Sequence, residues 1–134
     1  MNSLTGSIET LQMENHLSLV SVKVDANLFS AIVIDTPATA SYLEVGRQVN
    51  LLFKETEVVI AKSFSGGISM QNKFPGRVKS LEKGKLLCRV TVNFNDHAIV
   101  SLITTNAANQ LELAIGDEVI AFVKTNEISL TAYD

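Results

Sequence analysis

"SMQNKFPG" (residues 69–76) is the stretch on which the reading of this chain turns. Its Ser, Gln, Asn and Lys, closed by Pro-Gly, read as a polar turn or a strand entrance and not as core. The chain opens on a shortened version of it, "NSLTG" (2–6). Sliding the sequence by 70 residues superposes Asn2 on Asn72, Gly6 on Gly76, Leu11 on Leu81, Leu17 on Leu87, Val20 on Val90 and Val22 on Val92. The same offset, with no gap, superposes Leu43 on Leu113, Gly46 on Gly116, Val49 on Val119, Lys54 on Lys124 and Glu57 on Glu127. About twelve identities fall in about sixty positions, and the apolar pattern agrees at many more. Matched glycines imply matched turns. The chain therefore reads as two copies of one unit of about 63 residues. The first spans 1–64 and is shortened at its start, 65–70 hold the linker and the start of the second motif, and 71–134 form the second copy. The Ser- and Gly-rich "KSFSGGISMQ" (62–71) is the natural linker.

Each copy is mostly strand. "HLSLVSVKVD" (16–25) and "LLCRVTVNFN" (86–95) alternate apolar and polar residues and are rich in valine, the period of a half-buried strand. "EVVIAKS" (57–63) and "EISLTAY" (127–133) read alike, and "FSAIVID" and "AIVSLIT" are short apolar runs. "TPATASYLEVG" and "NAANQLELAIG" are the helical turns, with Pro37 suited to a first turn and each glycine suited to the position after the helix. A unit this small buries little on its own, so two copies must pack together, exchange strands or oligomerise. Short strands with one helical turn suit a small closed or nearly closed barrel. The fold class expected is all-β: two tandem OB-like barrels with a short helical turn each.

Composition narrows the function. At 134 residues, 46% hydrophobic and net charge −3, the chain has ample core and no broad basic surface, so it is not expected to take nucleic acid by itself. No run of about 18 apolar residues implies a membrane span. "MNSLTGSIETLQMEN" lacks the basic-then-apolar order of a signal peptide, and a single cysteine, Cys88, excludes an intrachain disulfide; the cytoplasm is the expected location. His16 and His97 do not superpose and lack metal-ligand company. No Ser/His/Asp set, carboxylate pair, phosphate loop or CxxC is present, so catalysis is not expected.

The order of short motifs resembles the Mop, or molbindin, domain within the wider TOBE group. That repeat opens on Ser-Ala-Arg-Asn-Gln-Leu-x-Gly and runs through a strand pair with "IEKG" to an Ile-Thr element. It closes with Gly-x-x-Val and Lys-Ala-Thr/Ser-x-Val. Here the second copy reads "SMQNKFPGRVKSLEKG" and then "LITTNAANQLELAIGDEVIAFVKTNEISL". The first reads "NSLTGSIETLQMEN" and then "YLEVGRQVNLLFKETEVVI". The resemblance covers nearly the whole chain, in tandem. It implies an OB-like barrel that binds molybdate or tungstate as the intact oxyanion, at interfaces between units, for molybdenum storage or homeostasis. It also implies a homo-oligomer, a trimer of paired domains ahead of a dimer.

A tetrahedral dianion needs converging N–H and O–H donors and a cation or two. A donor-only site favours molybdate, tungstate and sulfate, fully ionised near neutrality, over phosphate, which keeps a proton. The positions matching the family's motif in copy two are Ser69, Gln71, Asn72, Thr104, Lys124 and Thr125; copy one offers Lys54 and Thr56. The family's Arg is Gln71 here, which removes a charge. Copy one begins at Met1, where the Gln71 match falls, and it carries Ile34 and then Asp35 where copy two has Thr104 and Thr105. An Asp repels an oxyanion, so fewer or weaker sites than two per chain are expected. The same lysines also read as strand-edge charges, and Ser69 and Asn72 as turn formers. Two other function classes stand beside oxyanion binding: a regulator's sensing or protein-interaction module with weakened anion sites, and an oligonucleotide-binding OB-like module. The second wants stacking aromatics and a basic groove, and this acidic chain has eight aromatic residues and no Trp.

Overall fold

The computed structural model describes residues 1–133. The strands are β1 (Asn2–Glu14), β2 (Leu17–Val24), β3 (Asn27–Val33), β4 (Gln48–Phe53), β5 (Val59–Lys62), β6 (Asn72–Lys83), β7 (Leu87–Phe94), β8 (His97–Thr104), β9 (Glu118–Val123) and β10 (Ser129–Ala132). One α-helix, α1 (Thr105–Gln110), follows β8, and 3-10 turns at Glu55–Glu57 and Thr125–Glu127 follow β4 and β9. The 70-residue offset carries over into the structure: β2 maps onto β7, β4 onto β9, β5 onto β10 and the first 3-10 turn onto the second.

Two five-stranded antiparallel sheets result, ordered β10-β4-β1-β2-β3 and β5-β9-β6-β7-β8. The chain divides into two compact units that cut across the repeats: residues 1–53 with 124–133 form unit 1, and residues 54–123 form unit 2. Strand exchange is therefore the solution adopted. Leu130 of the second repeat pairs with Leu51 of the first in unit 1, and Ile60 of the first repeat pairs with Ala121 of the second in unit 2. Within each unit the two outer strands of the sheet also touch, β10 with β3 and β5 with β8, so each sheet curls into a small OB-like barrel.

The polar stretch at 69–76 turns out to supply core. Only 69–71 lie outside a strand; from Asn72 the chain is β6, and alternation buries Asn72 and Phe74 completely. Phe74 meets Phe94 edge to face at 5.3 Å. Pro75 is tolerated because β6 pairs only with β9 there, over 72–77, and takes up β7 from Arg77 onward. Where the strand changes partner it needs a glycine for want of space. A Cβ on Gly76 would stand 2.2 Å from the Asn93 carbonyl oxygen, and one on Gly6 would stand 2.4 Å from that of Lys23. A bulge follows each, between Val78 and Ser80 and between Ile8 and Thr10, and bends the strand around the barrel.

The glycines expected to end the helical turns do something else. The residue after the α1 cap is Glu112, in left-handed backbone (φ 50°). Gly46 and Gly116, also left-handed (φ 91° and 93°), donate their N–H groups to Ile8 and Val78 at the bulges, each at 2.8 Å. Ile8 and Val78 donate back to the Arg47 and Asp117 carbonyls at 2.9 Å. The helical turns are unequal. The Thr104 hydroxyl accepts the Ala107 N–H and caps α1. At the matching places copy one has Ile34, with no acceptor, and Pro37, with no N–H, and separate turns close there instead of a helix, from Ala40 N–H to Thr36 O at 2.8 Å and from Leu43 N–H to Ala40 O at 3.1 Å. Cys88 is fully buried on β7, and burial pushes its thiol pKa up.

Strand β5 is fastened by Lys62, whose ammonium bonds the Glu112 carbonyl at 2.8 Å and pairs with Asp117 at 3.0 Å. The lysine hydrogen bond, helped by the Ala114 N–H, holds the Asp117 carboxyl below its ordinary 3.8. A carboxylate with a depressed folded pKa stabilises the fold fully above its unfolded value and loses that contribution as pH falls through the folded one. Two outcomes follow. Asp117→Asn flattens the fall in melting temperature of the wild type between neutrality and pH 3. In urea titrations Gly76→Ala costs about 2–4 kcal/mol, more than the roughly 1 kcal/mol expected of Gly116→Ala, where space is open and only backbone strain enters.

Candidate functional site

Each repeat leaves its fourth strand through a lysine. Lys54 follows β4 and Lys124 follows β9; both are exposed and extended (φ −74°, ψ 147°; φ −70°, ψ 151°), and both lead into a 3-10 turn. The N–H groups of Glu57 and Glu127 return to the two lysine carbonyls at 3.0 Å, so the turns hold the lysine backbones in the same way. Neither ammonium makes an ion pair or hydrogen bond among the described residues. Of the eleven basic residues, these two are the one pair that the 70-residue offset superposes.

Unit 2 contains six of the eight residues singled out from the sequence: Lys54, Thr56, Ser69, Gln71, Asn72 and Thr104. Its 3-10 turn packs on β8. The buried Ser101 hydroxyl of β8 donates to the carbonyl of Val58, the residue that closes the turn, at 2.7 Å. The Glu55 carboxylate beside Lys54 is bonded by Arg89 at 3.3 Å, so its charge is answered locally. Thr104, exposed at the end of β8, accepts the Ala107 N–H at 3.0 Å and keeps its own proton to donate. Thr56 is exposed on the turn. Ser69 and Gln71 are exposed just before β6 and make no hydrogen bond among the described residues. Asn72 is buried, opposite Val123 in the β6–β9 ladder.

Unit 1 holds the other two, Lys124 and Thr125, on the turn that packs against β3. Where Thr104 stands in the other copy, unit 1 has Ile34, 81% exposed, and then Asp35. A cleft of about 380 Å³ opens there, lined among others by Ile34, Asp35, Tyr42, Asn126 and Ser129. Ser18 fixes the Asp35 carbonyl with a 2.6 Å hydrogen bond, and the Asp35 carboxylate lies 3.4 Å from the Thr39 hydroxyl. No cation pairs with Asp35 among the described residues. The Tyr42 hydroxyl donates to the Leu130 carbonyl at 3.1 Å; burial, and secondarily the Asp35 charge, push its pKa up.

Repeat order groups Thr104 with Lys124 and Thr125, whereas the compact units group it with Lys54 and Thr56. Sequence reasoning also passed over Asn2. It is buried opposite Phe53, the residue before Lys54, as Asn72 is opposite Val123, the residue before Lys124. The signal was the offset itself, which superposes the two asparagines. Among the described residues no cluster of three or more His, Cys, Asp or Glu could hold a metal ion, and no helix is long and apolar enough to cross a membrane.

Residues 68–130 match the TOBE domain. The chain is 30% identical, over 71% of its length, to the molybdenum transport protein ModE of Herbaspirillum seropedicae, and 24% identical over 98% to the ModE of Azotobacter vinelandii. It spans 40% and 50% of those two proteins, half their length or less. Among solved structures it superposes on the cytoplasmic molybdate-binding protein ModG, in a molybdate-bound form, with a TM-score of 0.92 at 24% identity, covering 98% of this chain and 96% of that one. That superposition extends over both repeats and shows the tandem fold. The second repeat thus carries a TOBE domain, the first repeat builds the same unit again, and the pair has the tandem fold seen in that solved structure.

Proposed function

We propose that this chain binds molybdate or tungstate as the intact oxyanion, in the cytoplasm, for storage or homeostasis of the metal, and is not an enzyme. The observation that carries the reading is the pair Lys54 and Lys124. They are the one cationic position common to both repeats, exposed and free of carboxylate partners among the described residues, each leading into a turn with hydroxyl-bearing neighbours. An uncommitted ammonium supplies the point charge that a dianion requires. Thr56, Thr104, Ser69, Gln71 and Asn72, with Thr125 on the other turn, are the uncharged donors assigned to it; they add no acid that would repel it. The names of the similar proteins support the choice of anion. We assign the complete sites to an oligomer, a trimer of two-repeat chains, in which a second copy supplies the remaining donors.

Titration calorimetry with molybdate, tungstate, sulfate and phosphate, read beside native mass spectrometry, tests this directly. Molybdate and tungstate are expected to bind tightly, several per oligomer, with phosphate well behind. The double variant Lys54→Ala/Lys124→Ala weakens them by at least tenfold. Absence of heat and of bound anion in the wild type, or unchanged affinity in the double variant, contradicts the reading.

A further inference from the structure

The two lysines stand in different surroundings, and the difference is electrostatic. In unit 2 the turn carrying Lys54 packs on a strand that ends in a neutral donor, Thr104. The one carboxylate next to that lysine in sequence, Glu55, is bonded by Arg89 at 3.3 Å, which leaves the ammonium charge available. In unit 1 the turn that follows Lys124 packs on a strand that runs out into Ile34 and Asp35, and Asp35 lines a cleft together with Asn126 of that turn. Arg89 is replaced there by Leu19, so no arginine stands at the matching place. Thr104 is replaced by Ile34, so the hydroxyl is gone as well. The surroundings of Lys124 have lost a donor and gained an unanswered carboxylate.

We propose that the repeats are unequal toward the oxyanion: the half-site of unit 2, with Lys54, Thr56 and Thr104, takes it, and Asp35 bars it from the matching half-site of unit 1. This rests on the function proposed above and adds to it the residue that sets which half-site is used. The strand exchange is what brings it about. It carries the turn led by the lysine of the first repeat onto the strand that ends in the threonine of the second, and the turn led by the lysine of the second onto the strand that runs out into the aspartate of the first.

The test is calorimetry with sodium molybdate on the full chain and five variants, each checked for wild-type circular dichroism. Lys54→Ala loses at least tenfold more affinity than Lys124→Ala. Asp35→Asn, alone or with Ile34→Thr, raises the number of anions bound per chain. Thr104→Asp, which keeps a good helix cap while placing a carboxylate in unit 2, lowers affinity at least tenfold. If the wild type binds but Lys124→Ala loses as much as Lys54→Ala, or Asp35→Asn leaves the stoichiometry unchanged, the inequality is overturned while the function stands. If the wild type binds no molybdate, the function is overturned and the inequality with it.

Discussion

Each sheet of this protein is completed by a strand from the other repeat, and the rest of the structure depends on that exchange. Without β10, strand β4 would present an open edge of unpaired N–H and C=O groups, as β9 would without β5. A repeat of about 63 residues has too little interior to do without a fifth of its strands. The swapped strands are short, four residues each, yet Ile60, Leu130 and the adjoining Val58 and Ile128 are buried. Each exchange is made by a 3-10 turn, and each turn is preceded by a lysine. The feature that completes the barrels is thus the feature that delivers the one repeated cation to its surroundings.

Much of this was legible because the sequence says it twice. The offset of 70 residues is kept by strand boundaries, by both bulges and by both left-handed glycines. Valine-rich alternation located β2 and β7 to within a residue. The stretch at 69–76 misled for a physical reason. Asn, Pro and Gly are turn formers by frequency, but here the asparagine is buried, the proline sits where its strand has one neighbour, and the glycine is demanded by a carbonyl 2.2 Å from where a Cβ would be. The partner of each swapped strand was not legible, since period-two patterning says which face of a strand is buried and nothing about which edge it joins.

The same limit governs the candidate site. Residue types and order singled out Lys54 and Lys124, Thr56 and Thr125, Thr104 and Asn72, but grouping them required the topology. Asp35 was visible as a misfit in copy one, and the exchange gives that misfit its weight by setting it on the side of Lys124. A carboxylate about 8 Å from a dianion, at an effective dielectric of about 40, raises its free energy by roughly 2 kcal/mol. That corresponds to about thirtyfold in affinity, enough to separate two half-sites that backbone geometry makes nearly identical.

The central claim, that this barrel pair holds an oxyanion through the lysine-led turns, is tested most directly by locating the anion. Crystals grown with tungstate and measured at the tungsten absorption edge place it by anomalous scattering alone. The account predicts strong peaks beside the turn that follows Lys54 and none in the cleft at Asp35. Peaks confined to that cleft, or no ordered tungsten at either turn, would contradict it.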